Sequence, residues 1–336
     1  MIVEIDKKNI TDYIDKYEVI VFKLRNSRIK SKQLGILEVL LMNHDLDIKL
    51  IKNGPLGDVK GVVSFLINKD YFNILKDRLK YIGYFNEFYI LDFNGNDNNT
   101  SIETINPLNW KGFDYSLNTL YIQDEKLYEE QSPHNREFRI ISFDGSVKDL
   151  KGYRGDGSET GRRALPVEDA RCLVNLSMPF NNKKIIEPFA GGGGIVYMYK
   201  YINNKVDITS IDIDENLKPG LELYGANHIV SSSVDVKLNY MYDAIVTEVP
   251  FSINVLDDIN KSFNNLYNNI DNMIVLMCGV DQADSIYNNL NTLDINLLFR
   301  KELNRKGTDV EIQIWIKNKE LYNQLKDDIK IIESIY

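Results

Sequence analysis

The sequence predicts an α/β chain in two parts. A Rossmann-like, mainly parallel sheet with an antiparallel edge hairpin follows a smaller α+β domain of ferredoxin-like order. Three observations predict this. From about residue 184, apolar strand patterns alternate with helical ones, which builds a parallel sheet covered on both faces. Three of those strands end in a carboxylate (Glu187, Asp212, Glu248), and the first runs directly into four glycines, Gly191 to Gly194. Residues 1–93 carry the order β-α-β-β-α-β.

In the first part, residues 17–24 are β-rich and residues 34–42 hold Leu34, Leu37, Leu40 and Leu41 at helical spacing. Residues 47–52 alternate with period two until Asn53-Gly54-Pro55 breaks them, and residues 62–67 form another strand. An amphipathic helix over 71–82 and a strand over 87–93 complete the set. A polar break at 94–100 opens a connecting region, 94–153, with short strands over 119–122 and 138–143 and a turn at Asp144-Gly145. The second domain spans 154–318. Its first helix starts at Pro166 with Glu168 and Asp169 near its positive end. Strands are expected at 184–186, 207–211, 229–230, 242–247 and 273–277, with helices at 195–201, 217–224, 257–267 and 282–290. An antiparallel pair, 295–299 and 310–316, closes the sheet around Asn304 to Gly307. A C-terminal helix occupies 319–336.

Composition bounds the function. A chain of 336 residues can bury two cores. The net charge of −9 argues against a surface coated for nucleic acid, though a local basic cleft is compatible with it. Cys172 and Cys278 lie far apart in apolar runs and read as buried thiols of a reducing compartment. His44, His134 and His228 are scattered, so no metal site assembles. With no membrane-spanning run and no basic-then-apolar leader, the expectation is a cytoplasmic protein with no membrane partner.

The chemistry concentrates at the strand ends. Glycine is unfavourable inside a helix by about 0.5–1 kcal/mol. Four at a strand-to-helix junction are explained by a sharp turn and by close approach of backbone N–H groups to a nucleotide-type ligand. No Lys-Ser/Thr follows, which excludes a P-loop, and the spacing differs from the dinucleotide G-x-G-x-x-G. Asp212, about twenty residues on, is placed to accept bonds from ribose hydroxyls; Asp214 reads as a helix N-cap. Asp235 is a candidate for an adenine amino group, with Ser232 and Ser233 as rivals. In the run Glu248-Val249-Pro250-Phe251, Glu248 supplies an acceptor for the N–H of a poorly nucleophilic amine, Pro250 a fixed turn, and Phe251 a stacking face.

These residues resemble the tRNA guanosine-N2 methyltransferases of the THUMP-associated group. Their Asp-Pro-Phe-Cys-Gly-Thr-Gly-Gly-Ile motif is met here by Glu187 to Ile195, with Glu187 for Asp, Ala190 for Cys and Gly192 for Thr. Their preceding Pro-x-x-x-Ala-Arg-x-x-Val-Asn-Leu helix is matched by Pro166, Ala170, Arg171, Val174, Asn175 and Leu176. The resemblance covers residues 154–318 and implies a class I methyltransferase domain using S-adenosyl-L-methionine. It implies cofactor contacts from Glu187, Pro188, Phe189, Ala190, Gly191, Gly193, Asp212, Ile213 and Asp235. It also implies transfer to a guanine amino group in tRNA or other RNA, with Glu248, Pro250 and Phe251 as the catalytic set. The family's Asp-Pro-Pro-Tyr/Phe is Glu248-Val249-Pro250-Phe251 here. That departure keeps two alternatives open: a peptide, protein or metabolite substrate, or a scaffold that has lost chemistry. Basic runs at Arg25 to Lys32 and Lys151 to Arg163 are candidate RNA contacts or solvated faces.

Overall fold

The structure, a computed structural model, describes residues 2–3, 13, 15–52, 61–93, 100–104, 119–123, 126–130, 138–141, 147–150, 165–305 and 307–334. The breaks at 53–57 and 94–99, the Asp144-Gly145 turn and the basic run 151–163 lie outside the described residues.

The N-terminal sheet comprises β1 (Ile2–Val3), β2 (Tyr17–Leu24), β3 (Ile48–Ile51), β4 (Val62–Asn68), β5 (Phe85–Phe93) and β6 (Thr100–Thr104), in the order β1-β3-β4-β2-β5-β6. With α1 (Lys32–Met42) and α2 (Phe72–Arg78), the succession β2-α1-β3-β4-α2-β5 is ferredoxin-like and its four central strands pair antiparallel. Helix α2 stops at Arg78 and tightens into a 3₁₀ turn, Leu79–Tyr81, so the helical pattern through residue 82 spans two geometries. Strand β6 pairs with β5 and carries the sheet beyond residue 93. The connecting region contributes β7 (Thr119–Gln123), β8 (Lys126–Glu130), β9 (Phe138–Ile141) and β10 (Val147–Leu150), ordered β10-β9-β7-β8.

The large sheet is built from β11 (Lys184–Glu187), β12 (Asp207–Asp212), β13 (Asn227–Val230), β14 (Tyr242–Glu248), β15 (Ile270–Gly279), β16 (Asn296–Arg305) and β17 (Thr308–Ile316). Its order is β13-β12-β11-β14-β15-β17-β16, parallel through β15 and antiparallel in the final hairpin. This is the class I methyltransferase arrangement. Successive side chains point to opposite faces, so Ile185, Ala244 and Val246 enter one core while Ile186 and Ile245 enter the other. Helices α3 (Val167–Leu176), α4 (Gly194–Ile202), α5 (Lys218–Leu223), α6 (Leu256–Leu266) and α7 (Val280–Leu290) connect the strands, and α8 (Lys319–Ser334) ends the described chain. Cys172 and Cys278 are buried free thiols.

Helix α3 joins the two parts. It packs against α1, and nearly all of its residues are buried, including Asp169, Arg171 and Asn175. Buried polar groups need partners, and Asp169 Oδ1 and Asn175 Nδ2 of α3 find them across the junction. Arg28 Nη2 donates to Asp169 Oδ1 at 2.7 Å, and the Tyr84 hydroxyl donates to the same oxygen at 3.1 Å. Asn175 Nδ2 donates to Glu38 Oε1 and to the Tyr81 carbonyl, both at 2.8 Å. Glu38, fully buried on α1, also accepts the Gly83 N–H, and its Oε2 accepts the Tyr84 N–H at 2.9 Å. Burial pushes the Glu38 carboxyl up to about 7 against these three donors. The Arg28 half of the first basic run is therefore an interior ion pair and offers no face to RNA, whereas Lys30 is exposed.

Candidate active site

The strand order reverses between β11 and β14, and the loops there diverge to opposite faces of the sheet. A crevice opens at the strands' carboxyl ends at such a switch point. Glu187, Asp212 and Glu248 are the last residues of β11, β12 and β14, so the sheet brings three carboxylates to one edge.

Glu187 is 1% exposed. Its Oε1 accepts the Thr247 hydroxyl at 2.6 Å and the Phe189 N–H at 3.2 Å, while Oε2 is buried without a partner. Burial holds the carboxyl well above the usual carboxylate range, with Thr247 and Phe189 opposing and the charges of Glu248 and Asp212 adding to the rise. A buried acceptor left open beside a crevice is a place for an N–H donor of a ligand.

The following turn, Pro188 to Gly193, is shaped by two left-handed glycines. Gly191 has φ +49° and nothing within 4 Å of where a Cβ would stand, so its backbone borders open space. Gly193 has φ +83°, and a Cβ there would come within 2.8 Å of Leu221 Cδ2. Only glycine satisfies both the dihedral and the close packing on α5. Ala190 is buried and its N–H donates to the Ile211 carbonyl at 3.0 Å, which ties the turn to β12. Phe189 is half-buried against the second core.

Asp212 is half-buried and braces this turn from the neighbouring strand. Its Oδ2 accepts the Gly191 N–H at 2.8 Å and its Oδ1 the Asp214 N–H at 3.0 Å. Each carboxylate oxygen has a second lone pair available to a ligand. Ile213, next along, is 77% exposed. Asp214 caps the 3₁₀ turn by accepting the Asn216 N–H. Asp235 is exposed, and its side chain has no hydrogen bond among the described residues. Its rival Ser233 is buried and bonded to the Ser262 hydroxyl at 2.8 Å.

At the end of β14 the structure reveals what Val249 does, marked in the sequence only as a departure from the family motif, and two residues that sequence pattern did not mark, Gln282 and Arg305. Val249, which replaces the first proline of the family motif, donates its N–H to the Met277 carbonyl at 2.9 Å. Proline has no such donor, so valine adds a ladder bond at this position. Gln282 of α7 fixes the turn from below, donating to the Pro250 carbonyl at 2.8 Å and the Ser252 carbonyl at 3.2 Å. Arg305, at the end of β16, is ion-paired to Glu248 Oε1. Its guanidinium also lies 5.1 Å from the centroid of the Phe251 ring. Burial raises the Glu248 carboxyl above its ordinary value, and Arg305 opposes that shift. No local spacing announces Arg305, because its partner is 57 residues away.

Among the described residues no group of three or more His, Cys, Asp or Glu is arranged to hold a metal ion, and no helix is long and apolar enough to cross a membrane.

The chain is 36% identical over 100 residues to a tRNA (guanine(10)-N2)-dimethyltransferase of Methanothermobacter thermautotrophicus, a match to 28% of this chain and 29% of that protein. It is 34% identical over 114 residues to the "Probable tRNA (guanine(10)-N2)-dimethyltransferase" of Methanothermococcus thermolithotrophicus, covering 29% of this chain and 69% of the relative. The match thus spans less than a third of the length of the first relative and over two thirds of the second. Among solved structures, TrmN from Thermus thermophilus aligns with 89% of this chain and 99% of its own, at 10% identity and a TM-score of 0.46. No protein-family model matches the chain. On the extent of the second relative that is matched at 34% identity, this chain belongs to the family of the tRNA (guanine(10)-N2)-dimethyltransferases.

Proposed function

We propose that the protein is an S-adenosyl-L-methionine-dependent methyltransferase acting on the exocyclic amino group of a guanine in tRNA. The observation that carries this reading is the pairing of two unfilled acceptors at one switch point. Glu187 Oε2 is buried without a donor, and Glu248 Oε2 has no hydrogen bond among the described residues. The first fits a cofactor amine and the second a substrate amine. Gly191 borders open space, Asp212 keeps lone pairs for hydroxyls, and the exposed Ile213 offers an apolar surface to a nucleoside ring. These residues fit S-adenosyl-L-methionine, which when bound supplies a methyl group made electrophilic by its sulfonium.

The rest is the chain's own work. The amino lone pair of guanine is delocalised into the ring, so the nitrogen is a weak nucleophile. Glu248 accepts one N–H, raises electron density on that nitrogen, and stands ready for the proton released once the new N–C bond forms. Val249 and the Pro250 turn, held by Gln282, fix the direction of approach. Phe251 presents its ring beside the acceptor. The same residues are compatible with an amine on a peptide or metabolite, and family membership favours RNA.

The test is to incubate the full chain with labelled S-adenosyl-L-methionine and tRNA from a strain lacking the guanine-N2 methylation, then to digest the RNA and identify nucleosides by mass. N2-methylated guanosine is the expected product. Label on a peptide pool with none on RNA would replace the substrate, and label on neither would remove the activity.

A further inference from the structure

We propose that Arg305 is a positioning residue of the amine-acceptor site: its guanidinium holds Glu248 by one carboxylate oxygen and leaves the other for the substrate N–H. This rests on the methyltransferase reading above and goes beyond it by assigning a residue from a different strand pair.

The sheet geometry brings Arg305 to the site. Strand β17 runs antiparallel to β15, and Val310 pairs with Gly279, the last residue of β15. Residues of β16 and β17 beyond that pair, including Arg305 and Thr308, therefore overhang the carboxyl ends of the parallel strands, where the crevice lies. The Arg305 side chain is 4% exposed, so it is folded in against the sheet and not extended into solvent. There it makes three contacts. Nη1 donates to Glu248 Oε1, lies 3.6 Å from the sulfur of Met277, and belongs to a guanidinium stacked toward the Phe251 ring. Met277 is the ladder partner of Glu248. One side chain thus touches the acceptor, the residue beside it and the aromatic ring that follows.

The backbone of the turn is held by Val249 and Gln282, so what remains for a brace to fix is the Glu248 side chain. Glutamate is one methylene longer than the family's aspartate and has an additional torsion to fix. Valine at 249 removes the ring constraint of a first proline. The guanidinium gives Glu248 Oε1 a charge-assisted donor, and its own place is fixed by burial and by its contacts with Met277 and Phe251.

Charge supplies the second part of the role. The groups facing Glu248 are Asp169 from α3, Glu187 from β11 and Arg305 from β16. Burial, and after it Asp169, favour a protonated Glu248, which accepts a hydrogen bond poorly. Arg305 is the cation in contact that opposes them. Its removal shifts the ionisation of Glu248 to higher pH, so the acidic limb of the rate profile moves to higher pH as well.

The experiment compares wild type, Arg305→Gln and Arg305→Lys in the full chain. The carbonyl carbon of the Glu248 side chain is followed by ¹³C NMR through a pH titration and assigned by its loss in Glu248→Gln. The pKa of Glu248 is expected to rise by about one unit or more in Arg305→Gln and to return most of the way in Arg305→Lys. In parallel, kcat on tRNA should fall about tenfold or more at neutral pH in Arg305→Gln, with its acidic limb displaced upward and KM for the cofactor little changed. An unmoved Glu248 titration overturns the proposal. So does a fall in kcat that only follows a fall in Tm, with no displacement of the limb. If wild type transfers no methyl group, the functional reading fails by itself, while the NMR titration still decides whether Arg305 governs Glu248.

Discussion

Replacing Asp169 with alanine lowers the stability of the folded chain by about 3–5 kcal/mol. Asp169 is fully buried on α3, and its Oδ1 receives both Arg28 and the Tyr84 hydroxyl. Arg28 is itself 4% exposed, and its guanidinium lies 5.2 Å from the centroid of the Tyr84 ring. Among the described residues, alanine leaves the buried guanidinium with Glu168, at 3.6 Å, as its one remaining counter-charge. Burial raises the Asp169 carboxyl above its ordinary value and Arg28 opposes this, so the pair is held together against a large desolvation penalty. The double variant Arg28→Met, Asp169→Leu should therefore be less damaging than Asp169→Ala alone, because it removes both charges and keeps volume. Urea unfolding of the three proteins decides the matter. A loss below about 1 kcal/mol for Asp169→Ala would mean that the junction between the two parts contributes little, as exposed ion pairs do.

Glu248→Gln reduces kcat by about 10²-fold or more while leaving cofactor affinity close to wild type. The amide keeps one acceptor oxygen but turns two hydrogens toward either Arg305 or the substrate amine. Neither orientation serves: Arg305 loses its counter-charge in one and meets a second donor in the other. Because Glu187 and Asp212 lie on other strands, the cofactor side of the crevice stays intact. Single-turnover transfer to tRNA, with cofactor binding measured on the same preparation, separates the two effects. Transfer within about threefold of wild type would take Glu248 out of the reaction.

Much of the large sheet could be read from the chain because its strands advertise themselves. Ile185-Ile186-Glu187 is an apolar run and Ile208 to Asp212 a β-branched one, and each stops at an acid where the sheet ends and the crevice begins. The glycines of the first turn signal a backbone conformation that other residues avoid, and Gly191 and Gly193 adopt it. What escaped the reading depends on partners distant in sequence. Arg28 and Lys30 sit in the same 3₁₀ turn with the same local pattern, yet one is interior and the other faces water. Their difference lies in Asp169, 141 residues from Arg28. Arg305 escaped for the same reason, whereas β6, which pairs locally with β5 across the break at 94–99, escaped because Thr100 to Thr104 carries a single apolar residue, Ile102. The helix motif Pro166 to Leu176 was legible as a pattern; its place at the junction became clear only with Glu38 and Tyr81 opposite Asn175.

The account stands most directly on the cofactor. Calorimetric titration of the full chain with S-adenosyl-L-methionine, beside an Asp212→Ala variant, tests it without assuming any substrate. Saturable binding at one site is predicted, weakened about 10- to 100-fold in the variant as bonds to a charged group are lost. A well-folded wild type that releases no heat, or a variant that binds as tightly as wild type, would contradict the assignment of the crevice between β11 and β14.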